Sequence, residues 1–231
     1  MLPFCFGGDK MIDIHTHILP NVDDGSSSVE LSLAMLEEEI KQGVTDVYLT
    51  PHVCYGNKQY YEKDELRKIF EKFKDVCKKL PINLHLGEEI FYRSGSYEAF
   101  KQDKFLPLGD TEYYLVEFSM AQDFEDIEST VYNLTCLGKK IIVAHPERYS
   151  YMKEELMDKL KEVGAYFQVN TSSFYGVFGR HTKKRAKKLL KKGYIDFLSS
   201  DCHDMKTRKP NLLDTMKYIE KKYKIRILNK F

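Results

Sequence analysis

The sequence predicts an α/β fold built on a parallel sheet that closes, or nearly closes, into a barrel. Three observations carry that expectation. Seven short runs rich in β-branched and apolar residues alternate with amphipathic helical segments. No change of composition and no low-complexity linker divides the chain. The residues that follow the strand runs are repeatedly His, Asp or Glu. A doubly wound open sheet is the alternative. It is weakened because no glycine-rich phosphate loop follows the first strand.

The first strand is the short run at 11–14, MIDI, which leads into His15-Thr16-His17. Side chains at i and i+2 of an extended chain point to one face, so both imidazoles can address one metal ion. The turn-type segment 22–25, VDDG, follows and can fold a carboxylate back to the same place. Ser27 and Glu30 fit a capping box. The helix they introduce carries Val29, Leu33, Leu36 and Ile40 on one stripe, and Gly43 stops it. Strand two is 44–50, VTDVYLT, ending in Thr50-Pro51-His52. Beyond a loop at 53–60, a second helix places Leu66, Ile69, Phe70, Phe73, Val76, Cys77 and Leu80 on one stripe.

Strand three is 82–86 and ends in Gly87-Glu88-Glu89. A short helix at 96–102 and a turn at 107–110 lead to strand four, 113–118, YYLVEF. A helix at 124–137 stops at Gly138. Strand five, 140–144, ends in His145-Pro146-Glu147-Arg148-Tyr149. A helix running to 163 stops at Gly164, and strand six is 165–170. A basic helix at 182–192 stops at Gly193. Strand seven, 194–200, ends in Asp201-Cys202-His203, and a last helix covers 210–223.

The chain has 231 residues, 42% hydrophobic and 31% charged, which predicts a globular protein with a sizeable core. A net charge of +1 gives no global field for nucleic acid or a membrane surface. No apolar run approaches the roughly 18 residues that span a bilayer. The first ten residues, MLPFCFGGDK, do not read as a signal peptide. They read as a short extension with Phe4 and Phe6 available to pack on the barrel. Five cysteines, an odd number with no Cys-x-x-Cys pair, predict reduced thiols in a cytoplasm.

The strand ends make a constellation. In an α/β barrel they converge on one face, where active sites lie. There the sequence puts His15, His17, Asp24, His52, Glu88, Glu89, Glu117, His145, Asn170, Asp201 and His203. Five of the seven histidines belong to this set; His85 and His181 read as structural or solvated. Imidazole and carboxylate donors suit Mn, Fe, Co, Ni or Zn, with Mg at an oxygen-rich position. Asp24, Glu89, Glu117 and Asp201 would leave a positive centre around three divalent ions. Such a centre attracts a phosphate monoester and lowers the pKa of bound water toward neutrality.

The segments MIDIHTHILPNVDDG, TPHV, LGEEI, VEF, AHPERY and SSDCH, in this order and spacing, resemble the PHP (polymerase and histidinol phosphatase) superfamily. Within it they are most similar to the manganese-dependent protein-tyrosine phosphatases of bacterial capsule and exopolysaccharide clusters, the CpsB/YwqE type. The resemblance runs from Met11 to the last helix. It implies a distorted (β/α)7 TIM-like barrel, the PHP fold, with a trinuclear metal centre at the C-terminal mouth of the strands. It implies a short extension at 1–10 and one catalytic domain over 11–231. The implied ligands are His15, His17, Asp24, His52, Glu89, Glu117, His145, Asp201 and His203, with Glu89 bridging two ions. The family's Gly-x-Glu pattern selects Glu89 over Glu88. Glu117 has a competing reading as a strand carboxylate paired with an arginine.

Arg148 and Arg208 match arginines that the family places at the substrate phosphate. The resemblance further implies up to three divalent ions, Mn2+ first, with Fe, Co, Zn or Mg as substitutes. The implied substrate is phosphotyrosine on the tail of a cytoplasmic bacterial tyrosine kinase that controls capsule or exopolysaccharide synthesis. A small-molecule phosphatase, such as one acting on histidinol phosphate, is the runner-up. A non-catalytic metal-binding module is the reading of a different class. Two departures stand out: ten residues precede Met11, and Asn21 stands where glycine is common.

Three further signals are weighed against plainer readings. Cys202 and Arg208 have the Cys-x5-Arg spacing of cysteine-dependent phosphatases, but 203–207 lacks the glycine that a phosphate-wrapping loop needs. The run Lys183, Lys184, Arg185, Lys187, Lys188, Lys191 and Lys192 reads as a solvated helix face rather than a dock, with Leu189 and Leu190 opposite. Phe174, Tyr175, Val177 and Phe178, with Tyr55, Tyr60 and Tyr61, either line a pocket for a flat ring or cover the rim.

Overall fold

The apolar strand runs are covered on both faces, as a parallel sheet requires. This computed structural model describes residues 10–120, 126–227, 229 and 231. In chain order the strands are β1 (Ile12–Thr16), β2 (Asp46–Leu49), β3 (His52–Val53), β4 (Asn83–Leu86), β5 (Glu89–Phe91), β6 (Tyr113–Glu117), β7 (Lys140–Ala144), β8 (Tyr166–Asn170) and β9 (Phe197–Ser199). The helices are α1 (Val29–Lys41), α2 (Lys63–Val76), α3 (Ser96–Lys101), α4 (Ile127–Cys136), α5 (Glu154–Glu162), α6 (Gly179–Lys192) and α7 (Leu212–Tyr223).

Every strand pairing is parallel, in the orders β1-β2-β4 and β3-β5-β6-β7-β8-β9. The two orders are joined at both ends. Gly109 N donates to Leu86 O at 2.8 Å and Leu108 N to Tyr113 O at 2.8 Å, linking β4 to β6. Thr16 bridges Cys202, with His17 N donating to Cys202 O and Asp201 N to His15 O, each at 2.9 Å. The pairings therefore return to β1. An open doubly wound sheet does not.

Beyond each of expected strands two and three the chain forms a further short strand, set off by a break. The run expected at 44–50 is β2, and an additional short strand, β3, begins after Pro51, which has no N–H for a ladder. The run at 82–86 is β4, and β5 follows Gly87. A Cβ on Gly87 would lie 2.7 Å from Leu108 Cδ2 and 3.3 Å from Leu108 Cα, a close approach that favours glycine. The breaks place β3 against β5 with His52 opposite Glu89. Two candidate ligands thereby become neighbours.

Ile14, Leu115, Ile142, Ala144 and Phe197 pack as an inner cluster, and a larger core lies between strands and helices. The Phe231 ring meets Tyr48 and Tyr113 at 5.2 Å and Phe197 at 5.5 Å. Asn229 donates to Ile12 O and Leu198 O and accepts from Leu198 N, bridging β1 and β9.

Some local expectations are corrected. Ser28, not Ser27, caps α1, accepting from Leu31 N at 3.1 Å. Val76 is exposed, whereas Leu66, Phe70 and Phe73 of α2 are buried. α6 begins at Gly179, earlier than expected, and buries Ala186, Leu189 and Leu190. Strand seven is shortened to Phe197–Ser199. Residues 124 and 125 of the expected fourth helix lie outside the described residues, as do Phe4 and Phe6. Asn21 has φ +60°, the left-handed region that glycine favours and asparagine tolerates. No helix is long and apolar enough to cross a membrane among the described residues.

Candidate metal centre

β1 ends with His15 and His17, whose Nε2 atoms lie 3.2 Å apart. The Glu89 carboxylate, from β5, sits beside both. Its Oε2 is 3.2 Å from each of these nitrogens and 3.0 Å from His52 Nδ1. Its Oε1 is 2.9 Å from His145 Nε2. Asp201 Oδ1 lies 3.4 Å from the Nε2 atoms of His15 and His17. Asp24 Oδ1 is 3.5 Å from Nε2 of both His52 and His203. Glu117 is 3.8 Å from His52 and 3.6 Å from His145. No arginine lies in ion-pair contact with Glu117 among the described residues, so its competing reading has no partner here. All nine expected ligand positions thus meet at one mouth.

Within the described residues, three groups have ligating atoms all within 4.8 Å of one another. They are His17, Asp24, His52 and His203; His15, His17 and Glu89; and His52, Glu89 and Glu117. Glu89 Oε2, Asp201 Oδ1 and His203 Nε2 are buried with no hydrogen-bond partner. Orphaned buried acceptors are costly, and cations between them would satisfy all three. The donor set, imidazole nitrogen with carboxylate oxygen, fits Mn, Fe, Co or Zn.

Electrostatics agree. Burial lowers the His15 and His52 pKa values, but nearby carboxylates, Glu89 foremost, outweigh it and hold both above the usual imidazole range. Burial and then Asp23 act on His17 in the same opposed way, with the same upward result. Burial would raise Glu89 and Asp201, yet the surrounding histidines, with Arg208 for Asp201, hold both well below the carboxylate range. Glu117 is pushed up to about 7 by burial and by Glu89. His145 is pushed down to about 4 by burial. The carboxylates draw positive charge to the mouth, as protons or as metal ions.

Two of the candidate ligands sit on unusual backbone. His145 has φ +32° and Asp201 φ +49°, both left-handed and neither glycine. Backbone strain of this kind collects at functional sites.

Asp23 and Gln168 had no assigned role in the sequence, whereas Asn170 stood at a strand end there; all three contribute. His17 Nδ1–H donates to Asp23 Oδ2 at 2.7 Å, and His52 N donates to the same oxygen at 3.0 Å. Gln168 Oε1 is 3.0 Å from His15 Nδ1, and Asn170 Nδ2 donates to Asp201 Oδ2. Such partners fix ring orientation and tautomer. The available signals were the doubled Asp23-Asp24 and the i, i+2 spacing of Gln168 and Asn170. Glu88, by contrast, turns away from the mouth and accepts from Leu106 N at 2.9 Å.

Arg208 Nη2 lies 2.7 Å from Asp201 Oδ2, and Arg148 Nη1 lies 3.9 Å from the same oxygen. Both guanidinium carbons lie over the Phe178 ring, at 5.5 and 4.5 Å. Stacking on one ring sets both forks beside the candidate ligands. A cavity of about 770 Å³ opens on the other side, lined by Asp24, His52, Glu117, Tyr60, Tyr61 and Arg93. Of the loop aromatics, Phe174 is buried, Tyr55 packs toward Phe105, and Tyr175 and Val177 are exposed. Of the loop aromatics weighed above, Tyr60 and Tyr61 line the cavity, with Phe91 of β5 beside them.

Cys202 is fully buried, with Sγ 3.9 Å from Glu39 Oε1. Burial, and then Glu39 and Asp13, push its thiol well up, the opposite of an activated nucleophile.

A family model described as capsular polysaccharide synthesis, CpsB/CapC, matches residues 11–231. This chain belongs to the CpsB/CapC family. Its curated relatives include the tyrosine-protein phosphatase CpsB of Streptococcus pneumoniae, 33% identical over 225 residues, covering 92% of this chain and 91% of that protein. The tyrosine-protein phosphatase YwqE of Bacillus subtilis is 32% identical over 220 residues, covering 92% and 85%. Among solved structures, one of YwqE and CpsB, described as unique metal-dependent tyrosine phosphatases, matches with TM-score 0.84 and 30% identity, covering 92% of this chain and 87% of that one. Histidinol phosphate phosphatase of Lactococcus lactis matches at TM-score 0.57 and 13% identity over 95% of each chain, a likeness of fold. The CpsB/CapC chain described here has its nine candidate ligands on that shared scaffold.

Proposed function

We propose that this protein is a metal-dependent protein-tyrosine phosphatase with a single catalytic domain over 11–231. The observation that carries the reading is Glu89. Its carboxylate touches His15, His17, His52 and His145 and still leaves Oε2 without a hydrogen bond. A carboxylate so placed would hold metal together with these histidines. His15, His17, Asp24, His52, Glu117, His145, Asp201 and His203 would supply the remaining ligands, for up to three divalent ions, Mn2+ first.

When bound, the ions supply a Lewis acid for the phosphoryl oxygens and an activated water as nucleophile. The chain does the rest. Arg148 and Arg208, held by Phe178 and Asp201, orient the phosphoryl group and offset its growing charge. Tyr60 and Tyr61 offer ring faces to an aromatic leaving group. Asp23 and Gln168 keep His17 and His15 in one tautomer.

The substrate in this reading is phosphotyrosine on the disordered tail of a cytoplasmic bacterial tyrosine kinase that controls capsule or exopolysaccharide synthesis. The family and its curated tyrosine-phosphatase relatives support it. Purified protein should be assayed on a phosphotyrosine peptide, a phosphoserine peptide and histidinol phosphate, stripped of metal and then with metals added back. The expected result is highest kcat/KM on phosphotyrosine. A higher value on histidinol phosphate would overturn the substrate while leaving the metal site standing.

A further inference from the structure

α6 reads GRHTKKRAKKLLKK: eight cations and no carboxylate, in a chain of net charge +1. α2 of the same protein is a solvated helix of the ordinary kind. It interleaves both signs and pairs Arg67 with Asp64 at 2.9 Å. α6 does not. Like charges three and four residues apart destabilise a helix by a few tenths of a kcal/mol per pair.

Some of the eight are engaged. Lys188 and Lys192 pair with Glu154, Arg185 donates to Pro146 O and Met152 O, and Lys183 donates to Tyr175 O. Arg180, Lys184, Lys187 and Lys191 have no ion-pair partner among the described residues. Their spacing is four, three, four, which on a helix is one stripe. The stripe begins two residues after Phe178, the ring that carries Arg148 and Arg208. It then runs about 16 Å along the helix, the reach of about five extended residues. The apolar side of α6, with Ala186, Leu189 and Leu190, is buried against the protein, so the helix has no apolar face to insert into lipid.

We propose that this stripe docks an acidic segment of the polypeptide whose phosphotyrosine occupies the metal centre. The docking rests on the phosphatase reading above. It names the substrate class more narrowly: a chain with carboxylates, or further phosphates, some five to ten residues from the target tyrosine. The stripe raises the local concentration of such a chain at the mouth and rebinds it after each turnover.

The test uses two phosphotyrosine peptides that differ only in a distal cluster, glutamate in one and glutamine in the other. A small aryl phosphate serves as control. For the wild type at low salt, KM for the acidic peptide should be roughly tenfold lower, from three or four exposed ion pairs, and the gap should close as salt is added. A variant with Lys184→Gln, Lys187→Gln and Lys191→Gln should lose the gap, with kcat and aryl phosphate turnover unchanged. Equal KM values in the wild type, or a preference that survives in the variant, overturn the docking.

Anisotropy of the unphosphorylated acidic peptide reads binding without catalysis. Binding with no turnover of either phosphopeptide sinks the phosphatase reading and keeps the dock. Turnover with no acidic preference does the reverse. Tighter, stripe-dependent binding to anionic phospholipid vesicles or to an oligonucleotide would reassign the stripe to that partner.

Discussion

Arg208 Nη2 stands 2.7 Å from Asp201 Oδ2, while Asp201 Oδ1 faces His15 and His17 at 3.4 Å. One carboxylate thus joins the arginine proposed to hold the substrate phosphate to two histidines proposed to hold metal. Arg208→Ala or Arg148→Ala should lower kcat/KM by roughly 10²-fold or more, about 3 kcal/mol of transition-state contact. Metal stoichiometry should hold, because Asn170 still donates to Asp201 Oδ2. Full rate in either variant would remove that arginine from the site.

The candidate ligand cluster predicts linked protons. Against the effect of burial, Glu89 and its neighbours hold His15 and His52 above the usual imidazole range, and Asp23 does so for His17. Those protons must leave before ions bind. Metal uptake should therefore release protons, and affinity should weaken as pH falls through the raised imidazole values, beginning above the usual imidazole range. Calorimetry in buffers of different ionisation enthalpy measures the release directly. A chelator should abolish activity and Mn2+ should restore it. His15→Ala and Glu89→Ala should each lose metal by elemental analysis and most of the rate.

The buried thiol at Cys202 predicts a silent substitution. Its Sγ lies near Glu39, and the proposed nucleophile is an activated water. Cys202→Ser should keep most activity, and mass spectrometry after quenching should find no phosphocysteine. A trapped covalent adduct at this residue would overturn the mechanism.

Glu88 sets a pH dependence of stability. Burial pushes its carboxyl up to about 8 from an ordinary 4.5. The folded state then holds a proton that the unfolded state releases between those values. Its contribution is whole below pH 4.5 and is lost as pH rises through 8, a swing of up to about 5 kcal/mol. Glu88→Gln keeps an acceptor for Leu106 N and removes the charge. Chemical denaturation of metal-free protein at pH 6 and pH 8.5 should show a smaller difference for this variant than for the wild type. Parallel pH profiles would exclude Glu88 as the source.

The strand ends were legible because each ligand type follows an apolar run, and β7 occupies the residues its pattern predicts. The cluster of His15, His17, Glu89 and Asp201 needed only that the strands be parallel and adjacent. Other features depend on meetings across the fold. Strand breaks at Pro51 and Gly87 arise from a missing donor and from contact with Leu108, which no local pattern encodes. Asp23 looked like a turn residue until β3 brought the His52 amide to it. Phe174 and Phe178 share one aromatic stretch, yet a short 3-10 turn at Thr171–Phe174 buries the first and leaves the second under two arginines.

The bridge between Thr16 and Cys202 has a bearing on biosynthesis. His15 and His17 leave the ribosome early, whereas Asp201 and His203 are among the last candidate ligands to be translated. Contacts of such sequence separation form late in folding. A nascent chain stopped before residue 201 would offer the ions an incomplete set of donors. Loading is therefore expected after translation, and a chain truncated short of Asp201 should be recovered metal-poor from cells that fill the complete protein.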